Sequence, residues 1–170
     1  MGLDIKNKVA NSGLITLDIE KLLPKDPVVF IDTKMYLFQE QVLREKEFRL
    51  KIKSTDWSLY ENKIVCVWCS VDAIVPLWAY MLISSGLTNV ASAVYFSSPD
   101  EINNNIIQEK ISLLNTDKYK NKKIVVKGCG HLNLSQNVYV KLIEKIQPVV
   151  KSIMYGEPCS TVPIYKNKNQ

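Results

Sequence analysis

The sequence predicts a single-domain α/β protein, a three-layer sandwich with a mostly parallel sheet and an antiparallel N-terminal addition. Strand-like apolar runs alternate with helix-like segments from Lys63 onward, and the connections between the runs are too long for hairpins. A chain of 170 residues is long enough for one core and short for two ordinary domains. We therefore expect one domain over residues 1–170, with an irregular addition at 1–60 and the repeating core at 61–165.

The first third of the chain has the weaker pattern. Residues 14–19 alternate apolar and polar side chains, as a half-buried strand does, and residues 27–32 form a second β-rich run. Both runs are predicted to form the antiparallel addition or a sheet edge. Between residues 42 and 53, apolar side chains at helical spacing, separated by Glu and Lys, predict an amphipathic helix.

The predicted core begins with residues 64–68, a continuous apolar run that is typical of a strand covered on both faces. Residues 74–83 are apolar nearly all round, which predicts a buried helix with Pro76 in its first turn and Gly86 as its cap. Further strands at 90–96, 124–127 and 152–155, and helices at 98–114 and 135–147, complete the alternation. No internal repeat beyond this alternation is visible.

Composition and charge exclude several classes of protein. Hydrophobic residues make up 46% of the chain and charged residues 23%, which is typical of a globular protein. The longest uncharged apolar stretch, residues 73–83, is too short for a membrane span, and the first residues lack the core of a signal peptide. We therefore expect a cytoplasmic protein that does not enter a membrane.

The net charge of +5 does not indicate nucleic-acid binding. The basic runs are interrupted by Glu and Asn, as on solvated faces, and Arg occurs only at Arg44 and Arg49. No nucleic-acid partner is expected.

Three cysteines, Cys69, Cys129 and Cys159, each follow a strand-like apolar run. In an open parallel sheet, the loops after the strands share one rim, where ligands bind. We therefore expect the three thiols to converge there. Soft thiolate ligands select zinc, iron or an iron–sulfur cluster over Mg²⁺ or Ca²⁺, so the predicted cofactor is zinc or iron.

The residues around these cysteines suit a ligand site. Cys69 and Asp72 lie in a strand-to-helix loop near the start of a helix, where a thiolate is favoured. Cys129 is flanked by two glycines, and Cys159 lies in an irregular segment with two prolines. His131, the single histidine, is a candidate fourth ligand or proton carrier. Asp72 is interpreted as a helix cap, a ligand or a base.

The fourth cysteine, Cys66, is predicted to be a core residue. It forms a Cys-x-x-Cys match with Cys69, but it lies inside the apolar strand, whereas both cysteines of a redox motif lie at the loop and first helical turn. Residues three apart on a strand point to opposite faces. The match therefore does not indicate a redox pair.

Three interpretations of function stay open on these residues. The first is a metal-binding protein with Cys69, Cys129, Cys159 and His131 as ligands. The second is an enzyme or sulfur carrier in which Cys69 is the nucleophile and Asp72 a supporting group. The third is an interaction domain with inert thiols, because buried free cysteine is common.

The chain resembles a family of Bacteroidetes proteins catalogued as a domain of unknown function. The resemblance is carried by residues 7–17, 69–76 and above all 147–163, and it spans nearly the whole chain. It implies a pattern that includes Cys69, Cys129 and Cys159, whereas Cys66 and His131 look particular to this chain. It also implies a link to gene neighbourhoods for iron–sulfur cluster assembly, and hence iron–sulfur assembly proteins as partners and an accessory role in metal handling.

Overall fold

The structure of the protein is a computed structural model that describes residues 13–128, 130, 132–157 and 160–167. These residues form nine strands and four α-helices. The strands are β1 (Leu14–Asp18), β2 (Val28–Asp32), β3 (Leu37–Phe38), β4 (Val42–Leu43), β5 (Ile64–Trp68), β6 (Ala93–Phe96), β7 (Lys123–Lys127), β8 (Ser152–Glu157) and β9 (Ser160–Lys166). The helices are α1 (Glu45–Ser54), α2 (Leu77–Leu87), α3 (Ile102–Ser112) and α4 (Gln136–Ile146). The predicted mixed α/β class is confirmed.

The strands pair mostly in parallel, as the long helical connections require. One sheet has the order β1-β7-β8-β9, with β9 antiparallel to β8, and a second sheet has the order β2-β5-β6. Strands β3 and β4 form a separate antiparallel pair. The sequence predicts a single sheet, whereas the described strands lie in separate sheets, because local periodicity does not determine which strands become neighbours.

The two N-terminal strands lie at sheet edges, as predicted, but their predicted antiparallel pairing is wrong. Strand β1 is parallel to β7, and β2 is parallel to β5. The chain from β2 reaches β5 through α1, and a helical crossover returns a strand in the same direction. Within the described part of residues 1–60, antiparallel pairing occurs only between β3 and β4.

The chain divides into two compact units, each with its own core. Unit 1 contains residues up to Pro24 and from Asn103 onward, and unit 2 contains Lys25–Ile102. The core of unit 1 includes Leu17, Ile19, Ile107, Ile111, Ile124, Val126, Val138, Leu142, Ile146 and Ile153. The core of unit 2 includes Ile31, Phe48, Ile52, Val65, Val67, Ala79, Ile83 and Leu87. The unit boundaries differ from the predicted division at residue 60, and the single-domain prediction stays a prediction.

The two units repeat the same pattern of elements at a constant interval along the chain. Strand β5 begins at residue 64 and β7 at residue 123. The same number of residues separates the start of α2 from that of α4, and the start of β6 from that of β8. The same hydrogen bond closes the turn before β5, from Lys63 N–H to the Tyr60 carbonyl, and before β7, from Lys122 N–H to the Tyr119 carbonyl. The structure therefore contains an internal repeat that the sequence does not reveal.

The first strand of each unit completes the repeat. Strand β1 ends at Asp18, whose carboxylate accepts a hydrogen bond from the Glu20 N–H at 3.2 Å. Strand β2 ends at Asp32, whose carboxylate accepts one from the Lys34 N–H at 3.0 Å. Each aspartate caps a short 3₁₀ turn. Because β1 precedes unit 2 and the rest of unit 1 follows it, unit 2 is inserted into unit 1 after the first strand of unit 1.

Helix α2 begins and ends later than predicted. Pro76 precedes the helix as its N-cap residue, and Gly86 lies inside the helix instead of capping it. A Cβ at Gly86 would overlap the indole ring of Trp57. The glycine is thus explained by the close approach of Trp57.

Among the described residues, no helix is both long enough and apolar enough to cross a bilayer.

Candidate functional site

Cys69 lies in unit 2, directly after β5, and is half-buried. Its thiol donates a hydrogen bond to the Val71 carbonyl, with the sulfur and oxygen 3.3 Å apart. The next residue, Ser70, donates its backbone N–H to the Asp32 carboxylate at 3.1 Å. The aspartate at the end of β2 therefore fixes the start of the loop that carries Cys69.

The Asp32 carboxylate is a structural anion of this loop. Partial burial raises its pKa, but hydrogen bonds from Ser70 and Lys34, with the nearby Lys34 charge, outweigh that effect and hold the pKa of Asp32 below its ordinary value. The Asp32 Oδ1 atom lies 3.0 Å from the Lys34 backbone nitrogen and 3.1 Å from the Ser70 backbone nitrogen. Asp32 is thus occupied by backbone donors that organise the turn.

Two hydroxyl side chains, those of Thr33 and Tyr80, lie near Cys69. Thr33 is fully buried, and its hydroxyl donates to the Trp68 carbonyl at 2.9 Å. Burial raises the pKa of Tyr80, a hydrogen bond with Thr33 opposes the rise, and the charge of Cys69 adds to it. Thr33 and Tyr80 are poor partners for a soft metal ion. Their presence beside Cys69 does not by itself define a metal site.

The predicted roles of Asp72 and Cys66 are tested by this part of the structure. Asp72 is exposed and lies well before Pro76, so its interpretation as a helix cap is wrong. Cys66 is fully buried in β5, and this burial raises the pKa of its thiol to about 11. The prediction that Cys66 is a core residue is confirmed.

The remaining predicted ligands, Cys129, His131 and Cys159, lie outside the described residues. Within the described residues, no three His, Cys, Asp or Glu side chains come together as a metal-binding group. The argument for convergence used one shared rim, and that premise is wrong. Strand β5, before Cys69, and strand β7, before Cys129, belong to different sheets. The participation of Cys69 with the other thiols stays a prediction.

Unit 1 has a cavity at the carboxyl ends of its strands. The cavity has a volume of about 470 Å³ and is lined by Glu20, Lys127, Gly128, Gly130, Tyr155, Gly156 and Glu157. Glu20 comes from the turn after β1, and the others come from the ends of β7 and β8 or the residues that follow. Carboxyl-terminal strand ends are the usual location of ligand sites in parallel sheets.

Glycines shape the wall of this cavity for steric reasons. Gly156 has a φ of +123°, and a Cβ there would lie 2.6 Å from the Ser160 carbonyl oxygen. Gly128 packs against the Tyr155 hydroxyl so closely that a Cβ would overlap it. The strand ends can therefore approach each other here only because these two residues lack side chains.

One carboxylate oxygen of a residue that lines the cavity lacks a hydrogen-bond partner among the described residues. The Glu20 Oε1 atom is buried and accepts no hydrogen bond from the described residues. Lys127 and Glu157, which also line the cavity, form an ion pair in which the ammonium nitrogen lies 3.5 Å from a carboxylate oxygen. A buried carboxylate oxygen left unpaired costs at least roughly 1–3 kcal/mol, so this oxygen is suited to a bound cation or hydrogen-bond donor.

The sequence did not single out Glu20, Lys127 or Glu157. Two signals were available in retrospect. Glu20 follows an aspartate that ends a strand, and Glu157 lies two residues before Cys159. Neither residue is distinctive without the sheet order, because only the pairing of β1 with β7 and of β7 with β8 brings the ends of these strands to one edge.

The strands, helices and cavity define a mixed α/β protein of two repeated units, with a candidate ligand site at the strand ends of unit 1. The chain belongs to the family described as "Protein of unknown function (DUF2480)", whose match covers residues 3–167. The family membership inferred from the sequence is thereby confirmed. No curated protein and no solved structure matches the chain.

Proposed function

We propose that this protein binds a zinc or iron ion at the unit 1 cavity through Cys129 and Cys159. The observation that supports the proposal most directly is the buried, unpartnered Oε1 atom of Glu20, a residue that lines the cavity together with sequence neighbours of both cysteines. Gly128 and Gly130 flank Cys129 in the sequence, and Glu157 precedes Cys159 by two residues. A cation in the cavity would offset the cost of burying the Glu20 oxygen.

The available ligands have the chemistry that zinc and iron prefer. Two thiolates from Cys129 and Cys159, with an oxygen from Glu20 and a nitrogen from His131, would complete a four-coordinate set of S, O and N ligands. The Glu157 carboxylate is already paired with Lys127, so the Glu20 carboxylate is the anionic oxygen ligand of this set. Cys69, which the sequence analysis predicted as a third thiolate, belongs to unit 2 and is not part of this four-ligand set.

An accessory role in metal or iron–sulfur handling extends this proposal. It rests on the gene neighbourhoods that the sequence resemblance implies and on the thiolate chemistry of the predicted ligands. Proteins that transfer a metal need ligands that can be exchanged, and a site that combines thiolates with a carboxylate at an open cavity would allow a partner to reach the ion. The partner class would be proteins that assemble iron–sulfur clusters.

A direct test measures zinc affinity by competition with a chromophoric chelator. Cys159→Ser should weaken binding at least about 100-fold and Glu20→Gln about 10-fold or more, because each variant removes one ligand. Cys66→Val is the matched control, since Cys66 is a buried cysteine of the other unit, and it should bind as the wild type does. Equal affinities of Cys159→Ser and Cys66→Val would refute the proposal.

The second candidate is a cysteine-dependent enzyme or sulfur carrier that uses Cys69. It is favoured by the half-buried position of Cys69 beside Tyr80 and Thr33, although the thiol donates a hydrogen bond to the Val71 carbonyl. Alkylation separates the candidates. Rapid labelling of Cys69 near neutral pH, unchanged by a chelator, would favour the enzyme, whereas slow labelling of Cys69 would argue against it.

A further inference from the structure

Lys127 lies between two acidic residues that line the unit 1 cavity. Strand β7, which ends at Lys127, is the middle one of three strands in the order β1-β7-β8. Glu20 follows the end of β1 on one side, and Glu157 ends β8 on the other. All three residues line the cavity. This acid–lysine–acid trio, Glu20, Lys127 and Glu157, therefore offers one ammonium group to two carboxylates.

The ammonium group of Lys127 pairs with only one of the two carboxylates. Its nitrogen lies 3.5 Å from a Glu157 oxygen, whereas the buried Glu20 Oε1 atom accepts no hydrogen bond from the described residues. Lys21, the next residue after Glu20, has its ammonium nitrogen 4.0 Å from the Asp18 carboxylate. The negative charge of Glu20 thus stays available to a cation because Lys127 is held by Glu157.

The trio is particular to unit 1, although unit 2 repeats the same strands. Asp18 pairs in register with Lys127 in unit 1, as Asp32 does with Trp68 in unit 2, which aligns the two sets of strand ends. The positions of unit 2 equivalent to the trio hold Lys34, Trp68 and Ser98. The repeated fold therefore forms without an acid–lysine–acid arrangement, and the trio of unit 1 needs another explanation.

The ion pair between Lys127 and Glu157 is placed where it can exchange. The two side chains are 41% and 58% exposed, and exposed ion pairs contribute little to stability. Both residues also line a second cavity of unit 1, with a volume of about 460 Å³, so the pair borders open space on two sides. Little free energy therefore opposes a movement of the ammonium group from Glu157 to Glu20.

We infer that Glu157 is a positioning residue that keeps Lys127 away from Glu20, and that Lys127 is the group that displaces the bound ion. The inference rests on the proposed metal site and adds a route for release from it. While Lys127 is paired with Glu157, the Glu20 carboxylate is available as a ligand. When the ammonium group moves to Glu20, it takes the place of the cation, because the two positive charges compete for one carboxylate. The ion then loses one ligand.

Zinc competition with a chromophoric chelator tests the inference. Glu157→Gln should raise the zinc dissociation constant about tenfold or more, because Lys127 is then released to compete for Glu20. The double variant Lys127→Met/Glu157→Gln should bind zinc within about threefold of the wild type, because the competing ammonium group is absent. Recovery of affinity by a second substitution is a result that a merely structural role of Glu157 would not give.

Two further variants complete the experiment. Glu144→Gln is the matched control, since it removes one exposed carboxylate of unit 1 from helix α4, and it should leave the zinc dissociation constant unchanged. Glu157→Ser introduces the residue that unit 2 has at the equivalent position, and it should weaken zinc binding as Glu157→Gln does. Thermal unfolding verifies that each variant is folded.

Two results would overturn the inference and leave the proposed function in place. One is a wild-type protein that binds zinc no more tightly than folded Glu157→Gln and Glu157→Ser do, although Cys159→Ser binds it weakly. The other is a double variant as weak as Glu157→Gln, which would make Glu157 itself a ligand. Failure of the proposed function gives a different result, in which the wild type binds zinc no better than Cys159→Ser, and the inference then fails with it.

Discussion

Cys66 and Cys69 lie three residues apart, yet their side chains have different environments. Cys66 is fully buried within β5, whereas Cys69 follows the strand and is half-buried. The end of the strand accounts for the difference, because β5 is buried on both faces and Cys69 lies in the loop beyond it. At the scale of single residues, the Cys66 thiol belongs to the core, and the Cys69 thiol belongs to a partly exposed loop.

Replacement of Cys66 by valine should be well tolerated. The repeat-equivalent position of unit 1 holds Val125, which is also fully buried, and we expect Cys66→Val to change the free energy of unfolding by less than about 1.5 kcal/mol near pH 7. The measurement is urea unfolding of both proteins. A much larger loss would show that the sulfur makes a contact that valine cannot replace.

The same variant tests the raised pKa of Cys66, which burial shifts to about 11. Between about pH 9 and 11 the unfolded thiol ionises while the folded thiol keeps its proton, so stability falls as pH rises. The wild type should lose about 1–2 kcal/mol more than Cys66→Val over this range. Parallel pH profiles of the two proteins would contradict the assignment.

At the scale of elements, the repeat is clearest in the turns before β5 and β7. Asn62 and Asn121 occupy equivalent positions and have φ values of 56° and 58°. The backbone N–H of Asn62 binds the Val90 carbonyl, and that of Asn121 binds the Val149 carbonyl. Asparagine tolerates this left-handed conformation better than most residues, which explains its presence in both turns.

Alanine at either asparagine should destabilise the protein to a similar degree. Asn62→Ala and Asn121→Ala should each lower the free energy of unfolding by about 1 kcal/mol, because a Cβ residue is strained in this conformation. Asn62→Gly and Asn121→Gly are the controls and should remain within about 0.5 kcal/mol of the wild type. A cost at only one of the two turns would contradict their equivalence.

The sequence predicted most elements because their signals are local. The amphipathic pattern of α4 and the continuous apolar run of β5 depend only on neighbouring residues, and both elements appear close to their predicted bounds. Gly86 was misinterpreted because the ring that explains it, Trp57, lies far away in the sequence. Strand β9 was missed because Pro163 argues against a strand, although an edge strand tolerates proline.

At the scale of the whole molecule, the division into two sheets could not be predicted from local patterns. Unit 2 interrupts unit 1 after its first strand, so β1 and β7 pair across a long stretch of sequence. The equivalent helices differ in their outer residues, with Leu77 in one and Gln136 in the other, which hides the repeat. Glu20 entered the candidate site for the same reason, since only the pairing of β1 with β7 brings it to the cavity.

The central claim is that the chain carries a thiolate metal site, and elemental analysis of protein purified without added metal tests it most directly. We predict close to one zinc or iron ion per chain in the wild type and in Cys66→Val, and little or none in Cys159→Ser, because loss of one of the two thiolate ligands weakens binding strongly. A folded wild-type protein that contains neither metal, or equal metal contents in Cys66→Val and Cys159→Ser, would contradict the account.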